Sequence, residues 1–362
     1  MERRFGIVHE DFRLNGFRFW DEFDTLNDLP KFFDKYLDFS DSELTIFLQQ
    51  WIENSSIEIK TSGTSAKPKT FEVKRQYILN SVKMTAEYFE LNNAKSALHC
   101  LPIEYIAGKM QLVRGLILGL DLHMIKPAIC PLKKDQYFDF AALTPQQVSG
   151  SIDYLENIKT LLVGGGVFSH ILQRLIKKLN ANVYESFAMA ETLSHIAVRK
   201  LEDPRGVFTC LPNINISIDY RSCLVIQAKH LGVKRLITND KVELIQKNRF
   251  KFLGRFDFLI NSGGIKLIPE VLEQKFSEHI NTNYFVSSLP DDVLGQKVIL
   301  VLEEKRNLFP EHIARKIKED SKTKKYQIPK EIHVVKKFMR TESGKIIPSK
   351  TMRIKPAEIL YL

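Results

Sequence analysis

The sequence predicts an α/β protein: a large layered α/β body followed by a small α+β domain. Three observations carry this prediction. Apolar runs typical of buried strands recur from residue 57 onward, with stretches of helical spacing between them. A turn-rich crossing, Gly254-Arg-Phe-Asp-Phe-Leu-Ile-Asn-Ser-Gly-Gly264, interrupts them. After it, roughly the last 105 residues hold helix, strand, charged helix and strand, enough for a unit with its own core. The length of 362 residues, about two and a half times a typical domain, agrees with two domains.

The elements follow in chain order. Residues 1 to 56 alternate aromatic and acidic segments, and Ser40-Asp-Ser-Glu43 reads as a helix start, with Ser40 at the cap and Glu43 three residues on. Ile57–Thr61 and Thr70–Val73 alternate like strands. Lys74–Leu91 is helical, with Ile78, Val82 and Phe89 on one face. Strands are expected at Ala97–Leu101, Leu122–Ile125, Thr160–Val163 and Asn182–Tyr184, with a helix at Phe168–Leu179 and shorter strands at Leu224–Gln227 and Arg235–Thr238. Beyond the crossing come helices at Pro269–Ser277 and Glu311–Glu319 and strands at Lys297–Leu302 and Glu331–Val335.

Composition excludes several classes. A 44% hydrophobic, 27% charged chain is neither disordered nor collagen-like. The four cysteines form no CxxC pair, so neither a zinc cluster nor a disulfide framework is expected, and a reducing cytosol is the expected setting. The N-terminus does not read as a signal peptide, and no apolar run approaches the roughly 20 residues that span a bilayer. The net charge is +10, and the stretch from Glu311 to Lys355 alone carries a net +9. Such a segment suits a polyanion: nucleic acid, an acidic membrane or a phosphorylated small molecule; a solvated lysine-rich face is the plain alternative. Its aromatics are too sparse for stacking bases.

Five segments concentrate chemistry. Thr61-Ser-Gly-Thr-Ser-Ala-Lys-Pro-Lys69 combines hydroxyls, a glycine and lysines, a composition suited to phosphate oxygens; with strands on both sides it reads as a hairpin loop, not a Walker A loop. A polar surface turn is the alternative. Leu161-Leu-Val-Gly-Gly-Gly-Val-Phe-Ser169 ends a strand in three glycines, where a ligand or merely a tight turn would need them. In Val183-Tyr-Glu-Ser-Phe-Ala-Met-Ala-Glu-Thr192, Phe187 could stack on a base and Glu191 could hold Mg²⁺, or they are a core aromatic and a helix-start acid. Asp240 and Arg255 could share a ribose diol or be ordinary loop polarity. Arg340-Thr-Glu-Ser-Gly-Lys-Ile346 presents Lys345 on a glycine turn, one lysine among many.

In order and spacing these segments resemble the signature motifs of the acyl-adenylate-forming (AMP-binding) superfamily, over residues 57 to about 350. Thr61–Lys69 matches its phosphate loop, Phe187–Glu191 its Y-G-x-T-E, Gly254–Pro269 its G-R-x-D-D-x-I-x-x-G-G-x-K-x-x-P, and Met339–Lys345 its P-R-T-x-S-G-K. Ala66 replaces a loop glycine, Ala190 a threonine whose hydroxyl would face phosphates, and Phe258 the second aspartate; Thr192 is the nearest substitute for that hydroxyl. Only about 60 residues precede the phosphate loop, from which a pared-down body is expected. With Leu101-Pro-Ile-Glu-Tyr-Ile-Ala-Gly-Lys-Met110, this economy looks like the compact o-succinylbenzoate–CoA ligases of menaquinone biosynthesis.

The resemblance implies an acyl-CoA synthetase-like fold, with an ATP- and acid-binding domain over 1–256 and a mobile cap over 257–362. It implies a cytoplasmic enzyme using ATP, Mg²⁺ and CoA. Lys345 and Glu191 would be catalytic, with Glu191 holding the metal. Thr61, Ser62, Gly63, Thr64, Ser65, Lys69, Gly165, Gly166, Phe187, Thr192, Asp240 and Arg255 would bind the nucleotide. Asp257 would be the hinge, and Gly263 and Gly264 would reach the CoA channel. A dicarboxylate substrate would need a further cation, for which Lys109 and Arg114 are candidates unless they lie on a solvated helix face. Expected partners are small molecules, with neither nucleic acid nor membrane insertion. Two other readings stand beside this one: an adenylating ligase for another aryl or fatty acid, and a non-catalytic nucleotide- or RNA-binding protein.

Overall fold

A computed structural model of the chain describes residues 6–60, 70–92, 95–166, 168–341 and 346–362. They form two compact units. One comprises Met1–Gly165, Ile176–Asn215 and Ile226–Leu236; the other Gly166–Leu175, Ile216–Val225 and Ile237–Leu362.

In the first unit the strands Asp121–Met124, Ser96–His99, Phe138–Leu143, Ile158–Val163 and Asn182–Ala188 lie side by side in that order, all parallel. Numbered along the chain this is a 2-1-3-4-5 order, the doubly wound arrangement in which ligands gather beyond the carboxyl ends of the strands. Leu98, Phe140, Ala141, Leu161 and Val183 are all buried, as strands covered on both faces require. Arg13–Leu14 and Phe17–Arg18 extend the sheet on one side, and His195–Lys200 and Val207–Cys210 on the other.

The Arg75–Phe89 helix buries Ile78 and Val82 as their spacing predicts. The Ile106–Leu118 helix stops at Gly119, which takes the left-handed conformation (φ 68°) that favours glycine at a helix end. Within it, Gly108 is forced by proximity: a Cβ there would lie 2.1 Å from the Pro102 carbonyl oxygen. The aromatic N-terminal residues become a wall of Phe12, Phe19, Phe32, Phe33, Phe47 and Trp51 on this core. The helix expected after Ser40 spans Ser42–Glu53 and is capped one residue later, by Asp41, whose carboxylate accepts the Glu43 and Leu44 N–H groups. An ionised acceptor at the cap is also favoured by the helix dipole.

In the second unit the sheet runs Ile265–Leu267, Ile260–Ser262, Gly295–Glu303, Glu331–Val335, Glu358–Tyr361, with Tyr284–Asp291 also paired to Gly295–Glu303. Strand alternation sends Val298, Leu300 and Leu302 to one face, where they meet Leu272 and Phe276 of the Pro269–Phe276 helix and Ile313 and Ile317 of the Pro310–Glu319 helix. Ile299 and Val301 face the other way, onto Phe285, Val335, Phe338, Ile346 and Met352. The crossing contains a hairpin that the sequence did not announce: Ile260–Ser262 pairs with Ile265–Leu267 across Gly263 and Gly264, both at positive φ (59° and 80°), as a tight two-residue turn demands.

Candidate functional site

Two strand ends of the first unit carry predicted site residues. After Ile158–Val163, Gly164 passes so close to Ser186 that a Cβ would lie 2.4 Å from its Oγ. Gly165 is exposed, with φ 77°, and a Cβ there would make an ordinary 4.0 Å contact with Thr144 Cγ2. The neighbouring strand, in register at Val163–Glu185, brings up Phe187, whose ring stands edge-on to Phe208 at 5.7 Å. Glu191 follows on an exposed turn, with no ion-pair partner among the described residues.

Thr192 departs from expectation. It is fully buried, and its hydroxyl is directed at the Met189 and Ser194 carbonyls, at 3.1 and 2.9 Å. It therefore braces the turn and does not replace the hydroxyl missing at Ala190.

Lys109 and Arg114 are both buried, which rejects the solvated helix face. Five residues apart on one helix, they diverge by about 140°. Lys109 lies over the Phe47 ring at 5.5 Å and reaches the Glu104 carbonyl at 3.4 Å. Arg114 points elsewhere, donating to Ser194 Oγ at 2.9 Å and to Gln111 Oε1 at 3.4 Å, while its buried Nε has no hydrogen-bond partner among the described residues. No carboxylate among the described residues pairs with it. Burial alone pushes its pKa down to about 10, so it stays charged at neutral pH. Beside it, burial and the Arg114 charge hold the His195 imidazole well below its ordinary range. The fold thus brings Arg114 to within one side chain of the turn that carries Glu191. Ser194, His195 and Gln111 are members of this cluster that sequence reasoning missed. A Ser-His pair just after Glu191-Thr192 was the visible signal, but nothing local shows which helix it meets.

In the second unit Asp240 and Arg255 face each other across an antiparallel pair. Arg255 is shared, with Nη1 3.3 Å from Asp240 and Nη2 2.8 Å from Asp257. Its backbone N–H donates to Glu270 Oε1 at 3.1 Å. The other Glu270 oxygen is buried without a hydrogen-bond partner among the described residues, and burial raises that carboxyl. Gly254 makes room for it, because a Cβ there would lie 2.3 Å from Glu270 Oε2. Gly166 also belongs to this unit, and Gly263–Gly264 form the hairpin turn described above.

Thr61, Ser62, Gly63, Thr64, Ser65 and Lys69 lie outside the described residues, as does Lys345. The residues around both segments are defined. Lys60 pairs with Thr70 at the open end of an antiparallel strand pair. Arg340 bridges to Ile346, and the Ile347 N–H donates to Met339 O at 2.8 Å. Glu303 fixes this second base by accepting the Phe338 N–H at 2.7 Å and the Arg340 guanidinium at 2.9 Å.

All four cysteines are free thiols, and burial pushes Cys100 and Cys210 up to about 12, which keeps them protonated. Among the described residues no helix is long and apolar enough to cross a membrane, and no group of three or more His, Cys, Asp or Glu could hold a metal.

No family model matches the chain. Among curated proteins it is similar to the 2-succinylbenzoate–CoA ligase of Listeria monocytogenes serotype 4b, 26% identical over 85% of this chain and 72% of that one. Its fold is similar to that of the o-succinylbenzoate CoA synthetase of Bacillus subtilis solved with its acyl-adenylate intermediate, with TM-score 0.71 and 19% identity over 83% of this chain and 69% of that one. An acyl-CoA synthetase (AMP-forming)/AMP-acid ligase II-like protein from Dyadobacter fermentans shares 32% identity over 86% of this chain and 93% of its own, with TM-score 0.57. At that identity over nearly the whole of a relative with this fold, the chain belongs to the AMP-forming acyl-CoA synthetase/AMP-acid ligase family.

Proposed function

We propose that the chain is an acid–CoA ligase acting on o-succinylbenzoate. In the first step the substrate carboxylate oxygen attacks the α-phosphorus of ATP, and pyrophosphate leaves. In the second, the CoA thiolate attacks the acyl carbon, and AMP leaves. The observation that carries this reading is Arg114: a guanidinium 2% exposed, charged, and lacking any carboxylate partner among the described residues. An unpaired buried charge costs several kcal/mol, which an anionic ligand relieves. An acid with two carboxylates supplies that anion and still has one group left to react. The similarity to 2-succinylbenzoate–CoA ligases supports the same substrate.

The remaining roles follow the motifs. Thr61, Ser62, Gly63, Thr64, Ser65 and Lys69 cradle the phosphates, Phe187 flanks adenine with Gly165 and Gly166, and Asp240 and Arg255 take the ribose hydroxyls. Lys345 places its ammonium between carboxylate and α-phosphate, where opposing anions would otherwise repel; such preorganised charge is worth several kcal/mol in a site that excludes water. Glu191 fits Mg²⁺ because its carboxylate is exposed and has no ion-pair partner among the described residues, and one carboxylate with substrate phosphates is an ordinary Mg²⁺ set. Bound there, the ion neutralises phosphate charge. Between the two steps the cap over 257–362 pivots at Asp257, withdrawing Lys345 and bringing Gly263–Gly264 toward pantetheine. The basic Glu311–Lys355 segment suits the phosphates of CoA.

Incubation with o-succinylbenzoate, ATP and CoA should yield AMP, pyrophosphate and a thioester of the expected mass. Turnover only with another aryl acid would reject the substrate, and no pyrophosphate release with any acid would reject the ligase. Lys345→Ala should lower adenylate formation at least a hundredfold, about 3 kcal/mol.

A further inference from the structure

The hydrogen bonds around Arg114 form a chain whose direction is determined at every link. Thr85 Oγ1 donates to the Ser81 carbonyl at 3.1 Å in its own helix, so it has only lone pairs to offer His195 Nε2 at 3.4 Å. Nε2 therefore carries the imidazole proton and Nδ1 is the acceptor. Nδ1 lies 3.1 Å from Ser194 Oγ, so the serine hydroxyl donates to it. That leaves the Oγ lone pairs for Arg114 Nη2 at 2.9 Å. His195 is 3% exposed, and burial beside Arg114 keeps it neutral, so the direction holds at neutral pH.

We propose that Ser194 and His195 are the positioning residues of the acid subsite: the Thr85–His195–Ser194 chain fixes the Arg114 guanidinium by one edge and leaves the rest of its donors for the second carboxylate of the substrate. The proposal rests on the acid-binding role of Arg114. Among the described residues Nη1 meets Gln111 at 3.4 Å and Nε has no hydrogen-bond partner, so the anchored guanidinium keeps unfilled donors. Without the Ser194 anchor, the planar fork loses its fixed orientation and with it the bidentate geometry a carboxylate requires. His195 acts through Ser194 and touches no reacting atom.

The test measures steady-state pyrophosphate release by the full chain with o-succinylbenzoate and with its two single-carboxylate analogues, 4-oxo-4-phenylbutanoate and 2-butanoylbenzoate. The analogue that turns over reports the enzyme without the Arg114 contact. Ser194→Ala and His195→Leu should each raise KM for o-succinylbenzoate about tenfold, with kcat, KM for ATP and KM for the turned-over analogue within twofold of wild type. His195→Asn, whose side-chain carbonyl can accept the serine proton, should recover most of the loss. Should His195→Leu fail to fold, Ser194→Ala and Thr85→Val carry the same comparison. Arg114→Ala separates the two ideas. If it raises KM for the diacid alone while Ser194→Ala and His195→Leu act on both acids equally or on neither, the positioning chain is overturned and the Arg114 subsite stands. If Arg114→Ala acts equally on diacid and analogue, the subsite itself is overturned, and the chain with it.

Discussion

The two units treat buried charge in opposite ways. The first unit buries bases that, among the described residues, have no ion-pair partner. His99 is driven down to about 4 by burial, His195 further below its ordinary range, Lys109 is lowered, and Arg114 is left without a carboxylate among the described residues. The second unit buries acids and mostly pairs them. Glu331 is held by Lys297 and His333, and Glu303 by Arg340, Asn283 and the Phe338 N–H. Glu273, which accepts the Val286 N–H and has no ion-pair partner among the described residues, is raised to about 7. Paired charges hold elements together. The guanidinium without a carboxylate is a standing cost that, on the proposed function, a ligand anion relieves.

The comparison breaks most visibly with pH. His99 has a folded pKa of about 4 against 6.5, so it contributes stability above pH 6.5 and loses it as pH falls toward 4, about 3 kcal/mol in all. His195 shifts the same way and adds to the loss. Glu273 has a folded pKa of about 7 against 4.5, so its contribution is full below pH 4.5 and is lost as pH rises through 7. Hydrogen exchange, corrected for intrinsic rate, should show protection in the first unit falling on acidification from pH 6.5 to 4.5 while protection in the second rises. Parallel behaviour in both would defeat the contrast. Next in size, Glu303→Ala should destabilise the second unit by about 2 kcal/mol, because it removes the Glu303–Arg340 ion pair and the acceptor of the Phe338 N–H; the side chain is 14% exposed, which keeps the effect below that of a fully buried pair. Smallest, Arg114→Met should stabilise the ligand-free protein by about 1 kcal/mol while weakening diacid binding. A lower melting temperature for Arg114→Met would mean that the guanidinium is structural.

Much of the fold was legible because its signals are local. Glu331–Val335 matches its strand, and the helices expected from Pro269 and Glu311 occupy Pro269–Phe276 and Pro310–Glu319. Strand flanks around 61–69 foretold the antiparallel pair Ser56–Lys60 with Thr70–Lys74. What escaped lacked such signals. Phe138–Leu143 and Tyr284–Asp291 interleave small, polar or proline residues with apolar ones, and their strand character comes from neighbours. The cap moved from Ser40 to Asp41 because either residue can cap, and the helix phase set by Leu44, Phe47, Leu48 and Trp51 chose between them.

In the candidate site the same line divides what was read from what was not. By itself the sequence determined the α/β class, the ordered motifs and the family, since each is a pattern along the chain. Only the tertiary structure decided that Lys109 and Arg114 part company, that Thr192 turns inward, that Ser194 meets a helix 80 residues earlier and that His195 meets another 110 residues earlier. Which side of a helix faces a ligand, and whether a charge is left unpaired there, depends on residues far apart in sequence, and no local spacing encodes it.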